Sequence, residues 1–180
     1  MNETSPANSP TSSVNSQYST SGVCSVQANE TGQYEELPAI KALTTDRDML
    51  KDHIDTFHTY GGTAGHIATA WAQYMLAPNW NTVFPEDSNV VAYDEPETVK
   101  AAVIMTDGEY NSSNSTTSAS AQAIAICQQM KDHDIKVYTI GFDMDVNSAA
   151  AQTLRDCASP GAYYFPYDGN ALKLVFQEIG

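Results

Sequence analysis

The sequence predicts an α/β fold: a doubly wound, mostly parallel sheet. Two short apolar runs, Val99–Met105 and Lys136–Phe142, lack the apolar–polar alternation of a half-exposed strand, which marks strands buried on both faces. Helical periodicity fills the stretches between and after them, giving the order β-α-β-α-β-α from Val99 onward. Aspartates follow the strands directly, Asp107 after the first and Asp143 and Asp145 after the second. Ligands of open α/β sheets gather at such carboxyl ends. Crossovers between the parallel strands are expected to be right-handed.

Residues 1–36 are unlike the rest. Met1 to Ser21 is mostly Ser, Thr, Asn, Pro and Gln, and the segment holds Glu3, Glu30, Glu35 and Glu36 with no cation. It has too little apolar surface to offset its ordering entropy, so a disordered polar segment or long surface loop is expected. The domain is expected to span 37–180. Leu37–Leu43 is a short apolar run suited to an edge strand. Thr45 is placed to cap a helix with Asp46 and Asp48 in its first turn and Leu50, Ile54 and Phe57 along one face. Tyr60-Gly61-Gly62 ends it. Thr63 opens a second helix, with Ile67, Trp71, Tyr74 and Met75 as its apolar face and Pro78 just past its end.

From Ala77 to Thr98 no period is usable. Pro78, Pro85 and Pro96 punctuate the stretch, and Glu86, Asp87, Asp94, Glu95 and Glu97 have no cationic neighbour in sequence. Loops of this length are often functional or mobile. The strand Val99–Met105 then ends in Thr106-Asp107-Gly108. A polar loop from Asn111 to Thr117 leads to a helix over about Ser118–Asp132, with Ala121, Ile124, Ala125 and Gln128 along one side. Lys136–Phe142 is the next strand, and Ser148 caps a helix to about Cys157. Tyr163–Pro166 is a short last strand. Asn170–Ile179 is a last helix with Leu172, Val175, Phe176 and Ile179 as its stripe.

The chain has 180 residues, enough for one ordinary domain. Eight Lys and Arg against 22 Asp and Glu give a formal charge of -14. That excludes a nucleic-acid binder, which needs clustered cations, and argues against a protein held on anionic lipid. No apolar run approaches the ~20 residues of a membrane span. The N-terminus lacks the basic start and apolar stretch of a signal peptide, so membrane attachment is expected only through an upstream anchor.

Three cysteines, Cys24, Cys127 and Cys157, leave at least one thiol unpaired within the chain. None has zinc-site spacing. Right-handed crossovers set the helices at 118–132 and 148–157 side by side, with Cys127 and Cys157 toward the same end. A disulfide closing a loop of about 30 residues, worth about 3–4 kcal/mol, and two buried reduced thiols both fit this arrangement.

Three constellations have chemical potential. Thr63 and Asp107 both belong at the rim of strand ends, and such oxygens suit a hard divalent cation, Mg²⁺, Mn²⁺ or Ca²⁺. The simpler roles are a helix cap for Thr63 and a turn former for Asp107. Asp143-Met144-Asp145-Val146-Asn147 opens like a calcium loop, but Ser148 stands where glycine is needed and Leu154 where a bidentate glutamate is needed. A solvated turn with a helix cap suffices. Gly61-Gly62-Thr63-Ala64-Gly65 has the spacing of a nucleophile elbow, but an elbow needs a strand before it. His53, His58 and His133 belong on solvated helix faces or ends. A small hydrolase using Thr63 and Asp107 is the alternative from another class, and a structural remnant without ligand is a third.

Leu43-Thr44, Gly61-Gly62-Thr63, VKAAVIMTDGEYN (Val99–Asn111) and KVYTIGF (Lys136–Phe142) together resemble a von Willebrand factor type A (VWA) domain. GGTAGHIATAWAQYMLAPNW, AIAICQQMKDHDIKVYTIGFD and TLRDCASPGAYYFPYDGNALKLVFQEI resemble more narrowly the VWA region of bacterial TadG-like proteins of the Tad/Flp tight-adherence pilus system. The likeness covers about residues 37–180. It implies a Rossmann-like fold and a non-enzymatic protein-interaction module outside the cytoplasm, in the periplasm or cell envelope. The protein partner would be met at the strand-end rim, with an acidic partner side chain completing a cation. It maps the threonine and aspartate of a metal-ion-dependent adhesion site onto Thr63 and Asp107. The DxSxS motif that supplies the family's other ligands is absent from the chain, so the site is expected to be incomplete and Mg²⁺ weakly held or lost. The N-terminal strands of the fold are then missing, and Val99–Met105, which would lie beside the central one, is left with an unpaired edge prone to pairing or aggregation.

Overall fold

The computed structural model describes residues 26–28, 34–36, 39–57, 63–110 and 116–180, the first two segments in backbone only. Cys24, most of residues 1–36, Gly61-Gly62 and the start of the Asn111–Thr117 loop lie outside the described residues.

Strands β1 (Val26–Ala28) and β2 (Tyr34–Glu36) form an antiparallel hairpin that is a sheet of its own. Residues 39–43 adopt no strand. Helix α1 (Arg47–Ile54) is capped by Asp46, one residue after the expected Thr45, with Asp46 Oδ1 accepting from Met49 N at 3.0 Å. Much of its apolar stripe is exposed among the described residues: Ile54 is 59% and Phe57 61% exposed.

Helix α2 (Gly65–Leu76) buries His66, Thr69, Ala70, Gln73 and Tyr74, not the face of Ile67, Trp71 and Met75 that size alone suggests. It packs closely against helix α3 (Ala119–Asp132), and Gln73 Nε2 donates to Gln129 Oε1 across the seam at 3.1 Å. Small side chains permit that approach. The bulky ring of Trp71 serves another surface, meeting Trp80 and Phe84 edge-on. Helix α3 shows the same choice of face. It buries Ala119, Ala123, Ile126, Cys127 and Met130, and turns the Ala121, Ile124, Ala125 and Gln128 side outward.

The stretch from Ala77 to Thr98 is fixed rather than loose. It contains two 3₁₀ turns, Pro78–Trp80 and Glu86–Ser88. Trp80 is fully buried, stacked on Tyr74 with centroids 3.9 Å apart. Asn81 donates to Val90 O at 2.8 Å and accepts from Val90 N at 2.9 Å. Lys100 Nζ donates to Leu76 O and Val91 O, at 3.0 and 2.7 Å, and sits 4.4 Å over the Tyr93 ring. Side-chain-to-backbone bonds hold this segment, so no periodicity announces it.

Strands β3 (Ala101–Thr106), β4 (Lys136–Gly141) and β5 (Tyr163–Tyr164) form a parallel sheet in the order β3-β4-β5. Helix α3, capped by Ser118, links the first pair, and helix α4 (Ala149–Cys157), capped by Ser148, the second. Ala102, Ile104 and Val137 point to one face and join Ala70, Tyr74, Ile126, Cys127, Met130 and Cys157 in the main core. Thr139, on the same face, donates to Leu154 O at 3.0 Å. Cys127 and Cys157 are disulfide-bonded with Cα atoms 5.1 Å apart, tying α3 to α4.

The other face differs from the sequence expectation of full burial. On β3, Ala102 and Ile104 are buried but Val103 is 42% and Met105 53% exposed. Helix α5 (Gly169–Ile179) reaches this side at its far end, where the Tyr164 hydroxyl donates to Glu178 at 3.0 Å, yet none of its residues is fully buried. Among the described residues, no strand pairs with the outer edge of β3. The run Val99–Met105 is apolar on both sides, so composition predicts two covers where the described residues supply one.

Candidate functional site

Strand β3 delivers its last residue, Thr106, to the carboxyl end of the sheet. The chain then bends through Asp107 and Gly108. The Thr106 hydroxyl closes this bend, accepting from Gly108 N and donating to Gly108 O, both at 3.2 Å. Asp107 is exposed at its tip.

Helix α2 starts at the same rim. Its N-cap is Ala64, and no side chain caps it. The N-cap position thus falls one residue after Thr63. Thr63 stands before the cap, against the bend: a Cβ placed on Gly108 would come 4.0 Å from Thr63 Oγ1. Helix start and strand end thus meet, bringing Thr63 beside the Asp107-Gly108 turn.

One residue not singled out by sequence reasoning packs at this meeting. Tyr110 is buried and lies against Gly65, so closely that a Cβ on Gly65 would collide with its ring. This is a position where only glycine fits. Burial pushes the Tyr110 hydroxyl above its ordinary pKa, and a hydrogen bond between the Tyr110 and Thr69 side chains opposes that rise. Thr69 Oγ1 also donates to Gly65 O at 2.8 Å, so the first turn of α2 is tied together. His66 lies in the same first turn of α2. It is buried with Nδ1 unpartnered, and desolvation lowers its pKa. The signal for Tyr110 was its place two residues past Gly108; nothing in a single sequence separates His66 from a solvated helix histidine.

The other aspartates serve local structure. Asp145 Oδ1 accepts from Asn147 N at 2.9 Å and Ser148 caps α4, so the calcium-like run is a turn and a cap. His133 stacks on Tyr93 at 4.1 Å, and His53 meets Phe57 edge-on.

The donor set fits a divalent cation poorly. Among the described residues, no three His, Cys, Asp or Glu side chains converge to hold a metal. Thr63 and Asp107 offer two oxygens at the rim, against the six of a magnesium shell.

A parallel α/β sheet with a helix start and a strand end meeting at its carboxyl rim is a fold of the open-sheet class. The chain belongs to the von Willebrand factor type A domain family, whose model matches residues 15–178. Domains of this family are a protein-interaction type of module. No curated protein gives a significant match to the sequence. Among the described residues no helix is long and apolar enough to cross a membrane.

Proposed function

We propose that this chain is a non-enzymatic recognition module of a TadG-like pilus-assembly or adhesion protein, working outside the cytoplasm. The observation that carries this is Thr63 standing beside the Asp107-Gly108 turn, at the rim where helix α2 and strand β3 meet. Strand-end rims are where open sheets take ligands. Asp107 is exposed there and available to a partner. A protein partner engages this rim, and an acidic side chain from it adds to the donors of an incomplete metal-ion-dependent adhesion site. Mg²⁺ is held weakly, because two protein oxygens leave most of the ion's shell to water. The buried Cys127–Cys157 bridge suits an oxidising compartment.

Isothermal titration of Mg²⁺ and Mn²⁺ into the wild type and Asp107→Ala tests the rim. Weak binding, in the millimolar range expected of so few ligands (about 4 kcal/mol), should appear in the wild type and vanish in the variant. No heat, or the same heat in both, removes the metal from the proposal.

A further inference from the structure

The Asp107-Gly108 turn has a reactivity of its own, separate from binding. The chain contains two Asp-Gly pairs, Asp107-Gly108 and Asp168-Gly169. In such a pair the glycine nitrogen can attack the carboxyl carbon of the aspartate before it, because glycine has no Cβ to hinder the approach. The fold decides whether it does. The carboxyl group must be free to swing, the backbone beside it free to rotate, and water must reach both.

The two pairs share this chemistry and differ in their surroundings. Asp168 is the N-cap of α5, and its Oδ1 accepts from Ala171 N at 2.8 Å. Gly169 is the first residue of that helix. The carboxyl group is thus pinned over the helix start, and the backbone that would have to rotate is held in the first turn. Asp107 is exposed in a bend, one residue past the end of β3. Among the described residues its carboxylate accepts no hydrogen bond. Gly108 N donates to the Thr106 hydroxyl at 3.2 Å, the long limit for such a bond. The space around Gly108 is open: a Cβ built there would meet Thr63 Oγ1 at 4.0 Å, an ordinary contact.

We infer that Asp107 is a site of spontaneous isoaspartate formation, and that the helix cap protects Asp168 from the same reaction. Gly108 N bonds to Cγ of the protonated Asp107 carboxyl group. The carboxyl hydroxyl leaves with the amide hydrogen as one water, and a cyclic succinimide remains. Water then adds to one of its two carbonyl carbons. Opening at Cγ restores aspartate. Opening at the main-chain carbonyl gives isoaspartate, with the chain running through Cγ and the free carboxylate on Cα. The water lost is regained, so mass is unchanged. The turn gains a methylene in its backbone beside Thr63, whatever the rim binds.

Ageing the full chain at neutral pH, folded and in guanidinium chloride, tests this. Peptide mapping with electron-transfer fragmentation separates isoaspartate from aspartate at each position. In the folded chain, conversion at Asp107 should outrun that at Asp168 severalfold, and in denaturant the two should approach parity. Gly108→Ala, which restores a Cβ in open space, should slow conversion at Asp107 severalfold. No isoaspartate at Asp107 in the folded chain, or equal conversion at both positions, overturns the inference. So does a ratio that denaturant leaves unchanged, which puts the selectivity in the local sequence and not in the fold, or a Gly108→Ala rate equal to that of the wild type.

Discussion

The two faces of the β3–β4 sheet are built from the same kinds of residue and meet different fates. On one, Ala102, Ile104 and Val137 lie under α2, α3 and α4, sealed by Trp80 beside them and by a disulfide above. On the other, Val103 and Met105 of the same strand stand half in water. Side-chain chemistry does not separate them. The difference is made by what packs against each face, so stability is concentrated on the helix side.

That contrast can be broken first at Trp80. Trp80→Ala should cost about 3–5 kcal/mol, as for a large aromatic removed from a core, measured by urea unfolding. A loss under about 1 kcal/mol would mean that the 77–98 segment is not part of the sealed side. Cys127→Ser combined with Cys157→Ser should lower stability by about 3–4 kcal/mol, read from the same unfolding curves.

A smaller, pH-dependent effect is expected at His66. Its pKa is lowered in the folded state by burial, so the unfolded chain binds the proton more readily. The stabilising difference is intact above the unfolded value near 6.5 and declines as pH falls below it. Thermal melts from pH 7.5 to 5.5 should show a decline in Tm that His66→Leu flattens; parallel slopes for both proteins would place the histidine elsewhere. The smallest effect belongs to the open face. Met105→Ser should shift stability by no more than about 0.5 kcal/mol if that face stays exposed, and by more if a strand or partner covers it.

How far the sequence could be read depended on how local the cause was. Ser148 as a cap, the β3–α3–β4 succession and the end of β3 at the Asp107 turn all follow from residues a few positions apart. The buried sides of α2 and α3 did not, because both helices carry alanine and larger apolar residues on more than one side. Only the neighbour across the seam chooses between them. The 77–98 segment was illegible for a related reason: Asn81, Lys100 and Tyr93 act across distances in sequence that no period encodes. At the rim, Asp107 was legible as a strand-end residue. The approach of Thr63 to Gly108 and that of Tyr110 to Gly65 are three-dimensional fits that spacing does not reveal.

The bridge between Cys127 and Cys157 also has a mechanical meaning. It joins positions 30 residues apart, enclosing β4 and most of α4 in a covalent ring. A chain pulled from its two ends cannot pay out that ring. At about 3.3–3.6 Å per extended residue, roughly 100 Å of contour stays locked. Under tension the segments before Cys127 and after Cys157 can extend, while β4, the central strand, stays within its loop. Single-molecule stretching should show that length released only after a reductant is added.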